Sequence, residues 1–271
     1  MKDPKPSGIL EWEKPVDWSE DFQLPTRSSD ICFTASSYKS WCDSVFPQLV
    51  GMPTCDNIDA VLKNAGKNEK CIRIGDYYLS KLTFPVWEYA TPSVPYGWLF
   101  KPQWTRARLS VHRSATQVSH CGFDGPVDIP ILSKINDERL RTWMSLTPNE
   151  VITLRSHVRR ARGTVGIAGL GMGWFARRVL ERKVVKHVTI VERDPQIIKY
   201  FGGLLSDFGD RVDFVAGDAY NHNWDDYDVT LWDIWEKIGE SAWDSRFLKL
   251  RDRLRSAGKV CEGWTCWAGL R

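Results

Sequence analysis

The segment 165–173 constrains the fold of this chain more than any other, because an apolar run leads there into a turn that holds three glycines. Gly169, Gly171 and Gly173 occupy alternate positions, and a segment with helical spacing, 174–183, follows them. Glycine accepts backbone conformations that other residues avoid, so it suits a chain that must turn sharply. The pattern predicts a buried strand, a tight turn and a helix, in that order.

A second predicted strand, 187–192, ends in an acidic residue, Glu192. In mononucleotide-binding βαβ units, a ribose-binding carboxylate lies about 20 residues beyond the glycine turn. The spacing therefore favours a nucleotide-like ligand, which would lie against main-chain N–H groups at the start of the helix. Glu192 is the candidate for its ribose.

From residue 164 onward, predicted strands and helices alternate, and this alternation favours a parallel sheet with helices on both faces. We expect a doubly wound, mostly parallel sheet in the order 3-2-1-4-5, in a chain that is short beyond its fifth strand. The predicted strands are 164–168, 187–192, 211–216, 227–232 and one that begins at 259. The predicted helices are 174–183, 195–205 and one that opens with Ser241 and Asp244 in capping-box spacing.

The first half of the chain is predicted to have a separate architecture. Thirteen of the fourteen prolines precede residue 149, which disfavours long helices and parallel strands there. We expect residues 1–145 to form a Pro- and Trp-rich region of strands and loops, and residues 146–271 to form the ligand-binding domain. The first region is predicted to end in a hairpin, with strands 131–135 and 139–143 around Asn136 and Asp137.

A helix is predicted between the two regions. Thr147, Pro148 and Glu150 have the spacing of a capping box with proline at the first helical position, and Gly163 follows the end of the helix. Its predicted buried stripe consists of Val151, Leu154 and Val158.

Composition excludes several classes of protein. The chain has 271 residues, of which 42% are hydrophobic and 26% charged, as in globular proteins, and its net charge of +3 does not indicate a nucleic-acid partner. Seven cysteines without a C-x-x-C pair favour a reducing, cytoplasmic setting over a disulfide framework or a zinc site. Residues 1–18 contain no apolar segment typical of a secretory leader, and no apolar run of about 18 residues occurs, so we expect neither secretion nor a membrane span.

Four predicted strands end in groups suited to a ligand. These are the glycine turn 169–173, Glu192, Asp218 within the triplet Gly217-Asp218-Ala219, and Asp233. In an open parallel sheet, ligands bind at the carboxyl ends of the strands, where the order of the strands reverses. The four groups are therefore expected to face one site.

Residues 164–262 resemble a class I S-adenosylmethionine-dependent methyltransferase domain, and within that superfamily they are most similar to the spermidine-synthase-like branch. The resemblance is carried by the glycine turn, the run 191–194, the triplet 217–219 and the run 227–233. It implies a Rossmann-like fold with S-adenosyl-L-methionine as the cofactor. The hairpin at 131–143 also resembles the small β element that precedes this domain in polyamine synthases.

The resemblance implies roles for individual residues. Glu192 would hold both ribose hydroxyls, Asp218 would accept a hydrogen bond from the adenine amino group, and the glycine turn would pass under the methionine part. Ala219 and Asp233 would complete the cofactor site. Asp233 and Glu236, three residues apart beyond the fourth strand, are the candidates for a catalytic base or an amine-orienting pair.

Two departures from the polyamine synthases weaken that branch of the resemblance. Those enzymes have an aspartate inside the glycine turn and a second aspartate three residues after the one that ends the fourth strand, where this chain has Met172 and Glu236. A nicotinamide cofactor fits less well, because the third glycine of its fingerprint would fall at Trp174.

The leading hypothesis is a methyltransferase whose N-terminal half covers the site and selects a small-molecule or protein acceptor. One alternative is an aminopropyl transferase that uses the decarboxylated cofactor, and another is a cofactor-binding or structural protein without catalysis. No metal is expected, since His112, His120 and Cys121 lack a fourth ligand at regular spacing. The sequence is compatible with a homo-oligomer.

Aromatic residues near the ends of the third and fourth strands are predicted to surround the mouth of the site. There they would stack on a planar or cationic acceptor, or pack against the N-terminal half. They are Tyr220, His222, Trp224, Trp232 and Trp235.

Overall fold

The computed structural model describes residues 9–10, 31–33, 35–55, 71–84, 121–123, 125–136, 139–146, 154, 157–235, 241 and 244–263. Apart from the last two residues, the chain divides into two compact units, Met1–Ile152 and Thr153–Gly269. The boundary predicted from the sequence, between residues 145 and 146, lies a few residues earlier.

The first unit contains a helix and two sheets in its described part. The helix Ala35–Val45 (α1) buries Tyr38, Trp41, Cys42 and Val45, and a 3₁₀ turn, Pro47–Leu49, follows it. Three short parallel strands form one sheet: Ile9–Leu10 (β1), Ile31–Phe33 (β2) and Cys121–Phe123 (β5). Four antiparallel strands form the other, in the order β3-β4-β6-β7: Cys71–Ile74 (β3), Tyr77–Phe84 (β4), Val127–Asn136 (β6) and Arg139–Ser145 (β7).

Strands β6 and β7 are antiparallel neighbours that extend beyond the bounds of the predicted hairpin. Asn136, expected in the turn, pairs with Arg139, and the register shifts between Leu132 and Ser133. Every residue of the segment 129–133 is buried. A strand covered on both faces has a continuous apolar run rather than an alternating one, which is why its pattern resembles the core of a sheet.

The second unit contains a parallel five-stranded sheet, so the predicted α/β architecture is confirmed. Its strands lie in the order β10-β9-β8-β11-β12. They are Gly163–Ala168 (β8), Val185–Glu192 (β9), Val212–Ala216 (β10), Val229–Trp232 (β11) and Val260–Gly263 (β12). The central strand β8 lies between β9 and β11, so the carboxyl ends of these three strands meet where the order of the strands reverses.

Three helices connect these strands: Trp174–Leu180 (α2), Pro195–Phe201 (α3) and Ser245–Ser256 (α4). Helix α3 begins as predicted, with Asp194 Oδ1 accepting from the Gln196 N–H at 2.9 Å. The α-helix ends at Phe201, and a 3₁₀ helix, Gly202–Arg211, follows it, whereas the sequence predicts a helix to residue 205. Glycine weakens an α-helix, and a Cβ at Gly202 would lie only 3.2 Å from the ring of Phe214.

The helix predicted between the two regions falls partly outside the described residues. Thr147, Pro148, Glu150 and Val151 lie there, whereas residues 157–160 are helical. Leu154 and Val158 of the predicted stripe are buried.

Glycine also shapes the core of the second unit. A Cβ at Gly166, in the middle of β8, would lie 2.7 Å from the indole ring of Trp224. This is closer than carbon atoms pack in proteins, so the glycine makes room for a large ring that lies directly on the sheet. Trp224 reaches that position from the segment between β10 and β11.

Candidate ligand site at the carboxyl ends of the strands

The glycine turn after β8 depends on glycine at three positions. Gly169, Gly171 and Gly173 have φ angles of 92°, 54° and 77°. L-residues with a side chain rarely adopt this left-handed region. At Gly169 a Cβ would also overlap the main-chain carbonyl oxygen of Asp233. The turn and the segment after β11 therefore touch through their main chains.

Main-chain hydrogen bonds hold the turn against the sheet. Gly169 N–H donates to the Val191 carbonyl at 2.9 Å, and Gly173 N–H donates to the Leu170 carbonyl at 2.9 Å. Gly171 N–H has no hydrogen-bond partner within the part of the chain that the structure describes. It is a donor that a ligand beneath the turn can use.

Glu192 lies beside the turn at the end of β9, and it is half-buried. Its Oε2 accepts from the Leu170 N–H at 2.9 Å, and its Oε1 accepts from the Asp194 N–H at 2.9 Å. The side chain thus joins the glycine turn to the start of α3. A carboxylate offers about four acceptor positions, so each oxygen can accept one further hydrogen bond.

Asp218 caps a short turn after β10. Its Oδ1 accepts from the Tyr220 N–H at 3.0 Å, at the start of the 3₁₀ helix Ala219–Asn221. The side chain is exposed, and Oδ2 has no hydrogen-bond partner among the described residues. The carbonyl of Ala219 accepts from Trp224 Nε1 at 2.7 Å, which fixes the middle of the turn.

Asp233 directly follows β11, and its main-chain N–H donates to the Ala168 carbonyl at 2.9 Å. The residue is half-buried and lies at the same edge of the sheet as the glycine turn. Glu236 lies outside the described residues. The proposed pairing of Asp233 with Glu236 therefore stays a prediction.

Two of the predicted aromatic residues, Trp224 and Trp232, belong to the core of the second unit, and the prediction that they line a mouth is wrong. Trp224 and Trp232 are each only 1% exposed. Trp232 packs against Trp224 at 5.1 Å between ring centroids, against Tyr220 at 5.3 Å and against Phe247 of α4 at 5.5 Å. Large rings between a sheet and a helix bury more apolar area than they would at an open site, which explains their position.

His222 and Trp235 lie at the margin of this core and are half-buried. His222 Nε2 is 2.9 Å from the hydroxyl of Tyr227, and its ring packs edge-on to Trp224 at 4.8 Å. Burial lowers the pKa of His222, so the imidazole favours its neutral form.

Asp244 connects several of these elements. Its Oδ1 accepts from the N–H groups of Arg246 and Phe247 at 3.0 and 3.2 Å, so it caps α4. Its Oδ2 accepts from the Tyr220 hydroxyl and from Trp235 Nε1, the latter at 3.2 Å. Burial opposes ionisation of this carboxyl, but the hydrogen bonds led by that from Tyr220 outweigh burial and lower its pKa. Burial, reinforced by the bond to Asp244, raises the pKa of Tyr220.

The sequence predicts Asp244 only as the second member of a capping box that Ser241 opens, whereas in the structure Asp244 is itself the N-cap and α4 begins at Ser245. Tyr220 and Trp235 lie 24 and 9 residues away along the chain, and no local pattern links them to this carboxylate. Its additional contacts depend on how the loops after β10 and β11 fold toward α4.

The described part of the chain shows neither a candidate metal site nor a candidate membrane span. No group of three or more histidine, cysteine or acidic side chains there could hold a metal ion, and His112 and His120 lie outside it. No described helix combines the length and the apolar character that a membrane crossing requires.

Comparison with solved structures finds proteins that are similar to part of this chain. No protein-family model matches the chain, and no curated protein matches it. It is similar to a dimethyladenosine transferase from Plasmodium falciparum, at 17% identity and a TM-score of 0.33, over 43% of this chain and 39% of that one. It is similar to the spermidine synthase of Thermotoga maritima, at 17% identity and a TM-score of 0.30, over 39% of this chain and 43% of that one.

A third similar structure is protein arginine methyltransferase 10 of Arabidopsis thaliana, at 20% identity and a TM-score of 0.31, over 39% of this chain and 32% of that one. The two kinds of protein named in the sequence resemblance, methyltransferases and spermidine synthase, thus both occur among these structures. In each case the match covers less than two thirds of the other chain. At these TM-scores the similarity carries no argument about activity.

Proposed function

We propose that this chain binds S-adenosyl-L-methionine and transfers its methyl group to a small-molecule or protein acceptor. The observation that carries the proposal is the position of Glu192. Its carboxylate ends the strand beside β8, bonds to the main chain of the glycine turn, and retains acceptor positions on both oxygens.

A ribose offers two neighbouring hydroxyl donors. The remaining acceptor positions of Glu192 match them in number, and hydrogen bonds to an ionised group are stronger than those between neutral groups. Because the Leu170 and Asp194 N–H groups already orient this carboxylate, little side-chain freedom would be lost when a ribose binds.

The remaining parts of the cofactor match other groups at this edge of the sheet. Asp218 Oδ2 suits the adenine amino group, with Ala219 beside it, and the Gly171 N–H suits the methionine carboxylate. Asp218 is already held by its bond to the Tyr220 N–H, which leaves its outer oxygen for a ligand.

When bound, the cofactor would supply a methyl group on a positively charged sulfur, and the protein would mainly align it with an acceptor. Asp233, with Glu236, would accept the proton that leaves the acceptor nucleophile. The proposal also includes that the chain retains catalysis and that it is able to form a homo-oligomer.

Titration calorimetry of the purified chain with S-adenosylmethionine and with S-adenosylhomocysteine tests cofactor binding. We expect both ligands to bind at one site per chain, whereas binding of neither would contradict the proposal. Transfer of a radiolabelled methyl group to the small-molecule or to the protein fraction of a cell extract tests turnover. Binding without transfer to either fraction would leave a cofactor-binding protein without catalysis.

A further inference from the structure

One carboxylate ties together three segments beside the proposed cofactor site. Asp244 accepts hydrogen bonds from the side chains of Tyr220 and Trp235 and from two N–H groups of α4. Tyr220 lies two residues beyond Asp218, and Trp235 lies two residues beyond Asp233. The same side chain therefore holds the segments that carry both candidate ligand groups.

The cap of α4 does not by itself require a carboxylate. Asparagine and serine cap helices about as well as aspartate, because one side-chain oxygen is sufficient. The second oxygen of Asp244 instead accepts from a phenol and an indole, and both bonds are strengthened by the negative charge. This second oxygen links α4 to the two loops.

Tyr220 transmits this restraint to the turn that begins at Asp218. Its ring packs against Trp232 at 5.3 Å, and the guanidinium of Arg246 lies 3.8 Å from its centroid. The main-chain N–H of Tyr220 donates a hydrogen bond to Asp218 Oδ1. A shift of the Tyr220 ring would therefore move the main chain that orients Asp218.

We infer that Asp244 is a positioning residue for the adenine side of the cofactor site and that it acts through the Tyr220 hydroxyl. The inference rests on the proposed binding of S-adenosylmethionine. It adds a residue that touches no cofactor atom but fixes the turn on which Asp218 is presented.

Two tyrosine variants give a matched test. Tyr220→Phe removes the hydroxyl that bonds to Asp244 and keeps the ring. Tyr227→Phe removes a hydroxyl from the same aromatic core, where its partner is His222 at 2.9 Å. We expect Tyr220→Phe to raise the Kd of S-adenosylmethionine about fivefold to tenfold, because binding would then have to order the turn at a cost of about one hydrogen bond, and Tyr227→Phe to leave it unchanged.

A comparison of two ligands, S-adenosylmethionine and free adenosine, separates a positioning role of Asp244 from a general structural role. Because the turn faces adenine, Tyr220→Phe should weaken free adenosine by the same factor as S-adenosylmethionine. If transfer activity is detected, its rate at saturating cofactor should be retained while the KM for cofactor rises. An effect on S-adenosylmethionine without one on adenosine would overturn the inference.

Asp244→Asn provides a second test, with Asp228→Asn as its control. Asparagine keeps the cap of α4 but presents its amide group or a neutral oxygen to Tyr220 and Trp235. Asp228 also accepts two bonds, from the N–H and hydroxyl of Thr164, but it does so just before β11, at the opposite edge of the sheet. We expect only Asp244→Asn to reduce the affinity for adenosine.

Should Asp244→Asn fail to fold, the comparison of the two tyrosine variants decides alone. If the wild-type chain binds neither S-adenosylmethionine nor adenosine, the proposed function fails and the inference fails with it. If the wild-type chain binds both ligands and Tyr220→Phe behaves like Tyr227→Phe, only the inference is overturned.

Discussion

The glycine turn after β8 and the loops after β10 and β11 reach the same edge of the sheet, but different forces hold them. The turn is held by its own main chain, through positive φ angles and through N–H bonds to Val191 and Glu192. The loops are held by side chains: Trp224, within the loop after β10, bonds to the Ala219 carbonyl and packs on Gly166 of β8, and Asp244 of α4's cap bonds to Tyr220 and Trp235. Backbone conformation makes the first region sensitive to a single methyl group, whereas the second depends on contacts between residues that are distant in sequence.

Gly169→Ala should have the largest effect on stability. The added methyl group would overlap the Asp233 carbonyl at a φ of 92°, which requires both strain and a shift of the main chain. We expect a loss of about 2–5 kcal/mol in the free energy of unfolding, from backbone strain together with overpacking. Urea denaturation of the purified variant measures it.

Gly203→Ala is the matched control, because a Cβ there has nothing within 4 Å and the residue has no positive φ. Its unfolding free energy should stay within about 1 kcal/mol of wild type. Equal losses for the two variants would contradict a turn that is fixed by backbone conformation.

Glu192→Ala should have the largest effect on the cofactor. We expect it to weaken S-adenosylmethionine binding by about 1.5–3 kcal/mol, since two hydroxyl donors would lose a charged acceptor. Calorimetry measures the change, and circular dichroism checks that the fold is intact.

Asp213→Ala is the control for removal of a carboxylate. Asp213 is exposed near the start of β10 and pairs with His187 at 3.2 Å, away from the carboxyl ends of the strands. The affinity of the Asp213→Ala variant for S-adenosylmethionine should equal that of wild type. An intact Glu192→Ala variant with unchanged affinity would remove the end of β9 from the cofactor site.

Asp218 should give a smaller and graded effect. Asp218→Asn keeps the cap on the Tyr220 N–H and an outer acceptor but loses the charge, so its affinity should lie between those of wild type and Asp218→Ala. We expect Asp218→Asn to lose about 1 kcal/mol of binding free energy or less. If both variants bind like wild type, Asp218 serves only as the cap of its turn.

Local chemistry explains why the first region is predictable from sequence. The strand, the glycine turn and the cap at Asp194 each follow from residues within a few positions of one another, and the α/β sheet follows from their repetition. Glu192 can be assigned because the distance from turn to carboxylate is fixed by one helix and one strand.

The second region depends on information that no short segment contains. The aromatic residues near the third and fourth strands look like ligand-stacking groups, but Gly166 opens a space on β8 that Trp224 fills. Asp244 looks like an ordinary member of a capping box, because its bonds to Tyr220 and Trp235 form only when two loops meet α4. At Gly202, where α3 ends, a Cβ would lie 3.2 Å from the ring of Phe214, and this proximity likewise arises only when the chain folds.

Side-by-side titration with S-adenosylmethionine and decarboxylated S-adenosylmethionine, followed by an assay with putrescine, tests the central claim most directly. Met172, in the glycine turn, is buried and offers no carboxylate for the cofactor's ammonium group, which is costly to bury without one. S-adenosylmethionine carries the same ammonium group beside its own carboxylate, and that carboxylate can accept a hydrogen bond from a turn N–H group. We predict that S-adenosylmethionine binds at least as tightly as its decarboxylated form and that no spermidine is produced. A clear preference for the decarboxylated cofactor, with spermidine formed from putrescine, would contradict the methyltransferase proposal and make Asp233 and Glu236 the amine-orienting pair.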